Sequence, residues 1–187
     1  TSDIEAGRRA LDSAHHPALL LVDTISSLAS MDYQHDAWGV DVTVGASQKG
    51  LMLPPGLSFN ALSDKALSAH SSATLARSFW DWAPVLKANK QNLFPYTPAT
   101  NLLYGLREAL RMLLAQGLEQ VFARHRRHAE ATRCAARAWG LELLCANPAE
   151  YSSSITAIMM PDGHDAEAFL RVVLERFDMS LGIGLSK

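Results

Sequence analysis

Two residues in this sequence have both a side chain and a setting suited to covalent chemistry. Asp23 closes the apolar run Ala18-Leu19-Leu20-Leu21-Val22, and Lys49 follows the shorter run Val40-Asp41-Val42-Thr43-Val44 through Gly45-Ala46-Ser47-Gln48. A lysine amine condenses with a carbonyl once desolvation or a neighbouring cation lowers its pKa. The same amine can later carry a proton. A carboxylate against a heteroaromatic nitrogen keeps that nitrogen protonated, so that the ring draws in electrons. An aspartate and a lysine at strand ends are common, however, and their surroundings must decide the matter.

The elements around them read as an α/β chain. Ser2 and Glu5 have the spacing of a capping box, which predicts a short amphipathic helix ending near His15-His16-Pro17. The run at residues 18–22 reads as a strand buried on both faces of a parallel sheet, with Asp23 at its carboxyl end. Residues 40–44 give a second strand, and residues 56–62, introduced by Pro54-Pro55, give a third. Open sheets of this kind bind ligands at the carboxyl ends of their strands, which is where Asp23 and Lys49 fall. Ser63-Asp64-Lys65 opens a helix; Phe79-Trp80-Asp81-Trp82 and the stretch to Pro98 read as irregular. A long helical region over residues 100–139 is interrupted at Gly117. Residues 141–145 and 154–160 then read as strands, 165–177 as a helix and 179–183 as a strand, the order of a small α+β domain. The predicted division is residues 1–115 and 116–187.

Composition narrows the function classes. Lys+Arg 17 against Asp+Glu 19 leaves no electrostatic footprint for nucleic acid or an anionic membrane. No apolar run reaches the ~20 residues that span a bilayer, and two cysteines make no disulfide framework, so the cytoplasm is the expected address. Competing motifs fall short. Gly45 to Gly50 lacks the G-x-x-x-x-G-K-[ST] pattern of a phosphate loop, because Gly50 follows Lys49. Ser47 and Lys49 suggest a Ser–Lys hydrolase, without an oxyanion-hole context. His15, His16, His125 and His128 lack metal-ligand spacing, and Arg124 to Arg127 reads as a solvated helix face.

Longer motifs supply what the isolated pair does not. Asp23-Thr24-Ile25-Ser26-Ser27-Leu28 is followed by Gly45-Ala46-Ser47-Gln48-Lys49-Gly50-Leu51-Met52-Leu53-Pro54-Pro55-Gly56, and then by Phe94-Pro95-Tyr96-Thr97-Pro98. In this order the three resemble the class V aminotransferases of the fold-type I pyridoxal-phosphate (PLP) enzymes, and most of all those acting on serine or alanine with glyoxylate. The resemblance runs on to Phe177-Asp178-Met179-Ser180-Leu181-Gly182 and so covers nearly the whole chain. It implies part of a large α/β domain followed by most of a small α+β domain. It gives Lys49 the Schiff base with pyridoxal 5'-phosphate and the proton shift, Asp23 the pyridine nitrogen, and Gln48 the cofactor phosphate. It gives Thr97 and Tyr96 the phosphate of the neighbouring subunit's cofactor, in a homodimer whose active sites lie at the interface. The implied substrates are an amino-acid donor and glyoxylate or another 2-oxo acid, with glycine as product.

The sequence departs from the family pattern in places. Ala46 stands where the family often has Gly, and Phe94 where some relatives have a Tyr that bonds phosphate. The family's Gly/Ser-rich phosphate loop, its ring-stacking aromatic residue and its substrate-gripping Arg find no match here; Arg107, Arg111 and Arg133 lie elsewhere. The expectation is therefore an internal fragment, inactive alone. The alternatives are another class V enzyme, including a desulfurase with a mobile cysteine, or a non-catalytic remnant that only dimerises.

Overall fold

The computed structural model describes residues 1–184 and divides the chain into two compact units, Asp3–Val121 and the residues from Phe122 onward with Thr1–Ser2. The first unit opens with helix α1, Ile4–Ser13, capped by Asp3 rather than by Ser2. Asp3 has extended backbone and accepts from the Ala6 N–H at 2.8 Å, so the helix starts one residue later than the capping-box spacing suggests.

A three-stranded sheet follows, in the order β1 (Leu21–Asp23), β2 (Val42–Ala46), β3 (Ser58–Leu62). β1 and β2 are parallel, with Val22 opposite Thr43 and Asp23 opposite Val44; β3 runs antiparallel to β2. The sheet is therefore mixed. β1 also differs from the expected doubly buried strand: Val22 is buried, but Leu21 beside it is 63% exposed. An edge strand with one covered face alternates in this way, whatever the hydrophobicity of its run.

At the amino end of the sheet Asp41 gathers four elements. Its buried carboxylate accepts from the Leu20 N–H at 2.8 Å, the Ser63 hydroxyl at 2.9 Å and Arg8 of α1 at 3.3 Å, with the Lys65 ammonium at 3.8 Å. Burial pushes this carboxyl up, but the two hydrogen bonds and the two cations outweigh burial and hold it below the usual carboxylate range. Beside it, the Thr43 hydroxyl shares hydrogen bonds with the Tyr33 phenol and with His35 Nδ1, which clamps the segment between the strands onto β2.

Helix α2, Asp64–Ser72, is capped by Ser63 as the sequence predicts. The segment expected to be irregular contains a second helix, α3, Trp82–Asn89. Asp81 caps it, and Pro84 falls in its first turn, where a missing N–H leaves no intrahelical bond unmade. Helices α4 (Thr100–Gln116) and α5 (Leu118–Ala138) are separated at Gly117, whose φ of +83° is open to glycine and strained for other residues. A core of Leu51, Leu113 and Val121, with Leu28, Phe59 and Leu106 packed on it, joins the turn after β2 to α4 and the start of α5.

In the second unit, α5 continues from Phe122 and α6 spans Ala166–Phe177, capped by Asp165. The three strands expected here do not form among the described residues. Segments 141–145 and 154–160 make one bridge, Leu143 with Ile158, flanked by Leu144 N–H to Ala157 O and Met159 N–H to Glu142 O. Residues 179–183 pair with nothing in the sheet sense. Their apolar pattern is that of covered strands, and Leu144, Ile155, Leu181 and Ile183 are instead exposed. A strand needs a partner ladder and a covered face, and hydrophobicity alone supplies neither.

Candidate active site

Asp23 is held by backbone on both sides. Its own strand pairing sets it beside Val44, and Thr24, which is fully buried, donates both its N–H (2.8 Å) and its hydroxyl (2.9 Å) to the Val44 carbonyl. Asp23 Oδ1 accepts from the Ile25 N–H at 2.8 Å, which fixes the carboxylate in a short turn. Oδ2 has no hydrogen-bond partner among the described residues, and the residue is exposed.

Lys49 sits in the turn three residues past the end of β2, exposed, with no hydrogen bond or ion pair to its amine among the described residues. Its placement comes from its neighbours. Ser47 is wholly buried and bonds the far side of the loop three ways: its N–H to Leu57 O at 3.2 Å, its hydroxyl to Pro54 O at 2.8 Å, and its hydroxyl oxygen accepting from Leu57 N–H at 3.2 Å. Leu53 N–H returns to Ser47 O and Met52 N–H to Lys49 O, closing the turn. Leu51 anchors it in the core. Ser47, which in the sequence suggests at most a nucleophile without an oxyanion-hole context, pins the loop. The Pro54-Pro55 pair, which begins seven residues downstream, is the available signal for a closed loop.

Gly50 brings the two candidate segments together. A Cβ on Gly50 would lie 2.1 Å from the Leu28 carbonyl oxygen and 2.7 Å from Ser30 Oγ. The turn that leaves Asp23 thus lies directly on the turn that carries Lys49. Gly50→Ala is expected to force the two turns apart and to cost about 1–3 kcal/mol, as overpacking does. Urea unfolding checks this: an unchanged midpoint would mean that the turns yield freely.

The other predicted residues are placed less tightly. Gln48 is exposed beside Lys49. Tyr96 and Thr97 are exposed in the connection between α3 and α4. Among the described residues no hydrogen bond, ion pair or ring contact joins them to Asp23, Gln48 or Lys49. The Tyr96 ring lies instead 4.9 Å from that of Phe79. A shallow hollow of about 280 Å³ is lined by Thr100, Leu103, Tyr104 and Arg107, all on one face of α4, and none of the candidate residues lines it. Cys134 lies on α5 with its thiol 3.4 Å from Glu130, unlike the mobile-loop cysteine a desulfurase needs. No group of His, Cys, Asp or Glu among the described residues could hold a metal ion, and no described helix is long and apolar enough to cross a membrane.

The chain as a whole is similar to known proteins. The model of the class V aminotransferase family matches residues 8–184. The chain is 49% identical over 186 residues to an L-aspartate–glyoxylate aminotransferase of Paracoccus denitrificans, covering 100% of this chain and 47% of that protein. It is 47% identical over 189 residues to a serine–glyoxylate aminotransferase of Hyphomicrobium methylovorum, with the same coverage of 100% and 47%. The crystal structure of an alanine–glyoxylate aminotransferase from Nostoc sp. superposes with a TM-score of 0.88 at 30% identity, covering 99% of this chain and 49% of that one. The chain thus spans about half the length of the relatives it matches, and its fold is that of the fold-type I transferases. On its motifs, its fold and these likenesses, the chain belongs to the class V aminotransferases, a PLP-dependent family.

Proposed function

We propose that this chain supplies the lysine and the aspartate of an aminotransferase that moves the amino group of serine or alanine to glyoxylate, giving glycine, in the cytoplasm. The observation that carries it is the parallel pairing of β1 with β2, Asp23 opposite Val44, with the turns that follow the two strands packed together at Gly50, so that the two candidate residues leave neighbouring strand ends. Glyoxylate is common to the names of the relatives above, while their donors are aspartate, serine and alanine.

The donor set fits PLP. When bound, PLP supplies a carbonyl to condense with an amine and a ring to accept electrons from the substrate carbon. Lys49 Nζ has no hydrogen bond or ion pair among the described residues and would be the group to hold the cofactor and to carry a proton in the reaction. Asp23 would keep the ring nitrogen protonated, while its Oδ1 accepts from the Ile25 N–H, which fixes the carboxylate's orientation. Gln48 would hold the cofactor phosphate through its amide N–H. Thr97 and Tyr96 would serve the phosphate of a second subunit in a homodimer, which accords with their exposure. The unit Asp3–Val121 belongs to the cofactor-binding domain and the residues beyond it to the small domain.

Borohydride reduction in the presence of PLP, followed by peptide mapping, tests the reading. The pyridoxyl label is expected on Lys49; a label on Lys65, Lys87 or Lys90 would overturn it. The 187 residues alone are expected not to turn over serine and glyoxylate, since the relatives are about twice as long. Turnover by the isolated chain would refute that part.

A further inference from the structure

The connection from α2 to α4 contains an unusually well-tied segment that the proposed chemistry leaves without a role. His70, near the end of α2, places Nε2 2.9 Å from Asp81 Oδ1 and its ring 5.2 Å from that of Trp82. Asp81 Oδ1 also caps α3 through the Ala83 N–H at 2.9 Å, and Arg77 Nε faces Asp81 Oδ2 at 3.6 Å. Arg77 in turn donates to the carbonyls of His70, Ala73 and Leu75 at 3.1–3.3 Å. The Ala83 N–H, with His70 and Arg77, holds the Asp81 carboxyl below its usual range against the opposing effect of burial.

The latch fixes both ends of the short 3-10 turn Ser78–Trp80. Both aromatic residues of that turn are exposed, Phe79 by 63%, and they differ in their ring contacts. Trp80 is 80% exposed and makes no ring contact among the described residues, whereas Phe79 packs its ring on Tyr96 at 4.9 Å, with the planes tilted by 38°. Tyr96 has no hydrogen bond or ion pair among the described residues. Phe79 is thus the contact through which the latched segment reaches the Phe94-Pro95-Tyr96-Thr97-Pro98 connection.

We propose that Phe79, held by the His70–Asp81–Arg77 latch, is a positioning residue for the Tyr96–Thr97 phosphate-binding segment. The inference rests on the reading of Thr97 and Tyr96 given above and adds to it a residue that touches neither cofactor nor substrate. Without the ring of Phe79, the connection between α3 and α4 keeps its covalent ends but loses the contact that orders its middle. Loss of order there weakens phosphate capture and leaves the Lys49 turn, built on Ser47 and Leu51, as it was.

The cofactor with and without its phosphate separates this from a general structural role. Equilibrium binding of PLP and of pyridoxal is measured on the intact protein and on Phe79→Ala, Phe79→Tyr and Thr97→Val. Phe79→Ala is expected to weaken PLP about three- to tenfold, the range an aromatic pair accounts for, and to leave pyridoxal unchanged. Phe79→Tyr, which keeps the ring, is expected to restore PLP binding. Equal weakening of both ligands, or of neither, while Thr97→Val selectively weakens PLP, would overturn the role of Phe79 and spare that of Thr97. No selective effect from Thr97→Val would overturn the phosphate reading and this inference with it. A pyridoxyl label still found on Lys49 would then show that the assignment of the lysine stands regardless.

Discussion

Lys49→Ala is expected to abolish borohydride-stable attachment of PLP and to lower transamination by roughly two to four orders of magnitude in the intact protein, the range of a positioned general acid–base group. The loss should fall on turnover more than on cofactor binding, because Asp23, Gln48 and the phosphate contacts remain. Lys87→Ala is the control, since Lys87 is exposed on α3 and remote in sequence from the motif. The variant is expected to unfold at the same denaturant concentration as the parent, because the Lys49 side chain makes no hydrogen bond or ion pair among the described residues, and its turn is fixed by Ser47, Gly50 and Leu51. Retention of more than a tenth of the parent rate would show that another group moves the proton.

The second large effect concerns stability. Asp41→Ala is expected to cost about 3–5 kcal/mol, the price of breaking a buried charged cluster from one side. The carboxylate side chain is only 6% exposed and that of Arg8 15%, so its removal leaves the Leu20 N–H and the Ser63 hydroxyl with little access to water and Arg8 with only its ion pair to the exposed Asp12 at 2.6 Å. Asp41→Asn keeps an acceptor and is expected to lose less. Urea unfolding measures both, and a cost below about 1 kcal/mol for the alanine variant would show that water replaces the carboxylate. The pH dependence has a definite direction. Because the folded pKa lies below the unfolded one, the contribution of Asp41 is fully present above the ordinary carboxylate range. It is lost as pH falls through the lowered folded value.

How legible these features were depends on how far apart their partners lie in the chain. Ser63 as the cap of α2 and the break at Gly117 are local matters, decided within a turn of helix, and both are as the sequence predicts. Family membership was legible from motifs for the same reason, since each lies within a continuous stretch. Asp41 was not, because its partners stand 21, 22 and 33 residues away and nothing in the periodicity marks them. Helix α3 was obscured by proline at position 84, which reads as a breaker until Asp81 is seen to begin the helix just ahead of it. The strands of the second unit failed in the opposite sense. Their apolar residues announce a covered face, and the covering is supplied by tertiary neighbours rather than by the residues themselves. Ser47 shows a third kind of limit: a buried hydroxyl and an attacking one are the same letter in the sequence.

The polarity of β2 has a consequence for how this protein tolerates change. Asp41 stands just before the strand and Lys49 beyond its far end, with five extended residues, about 16 Å of backbone, between the cluster that holds the unit together and the amine. Sites at that spacing and without shared partners behave nearly independently, so their effects add. Drift or engineering can therefore alter thermal robustness through Arg8, Asp41 and Ser63 while the reactive end keeps its geometry. The converse holds for repurposing the amine end, where new specificity can be sought around Gln48 and Thr97 without eroding the reserve at Asp41.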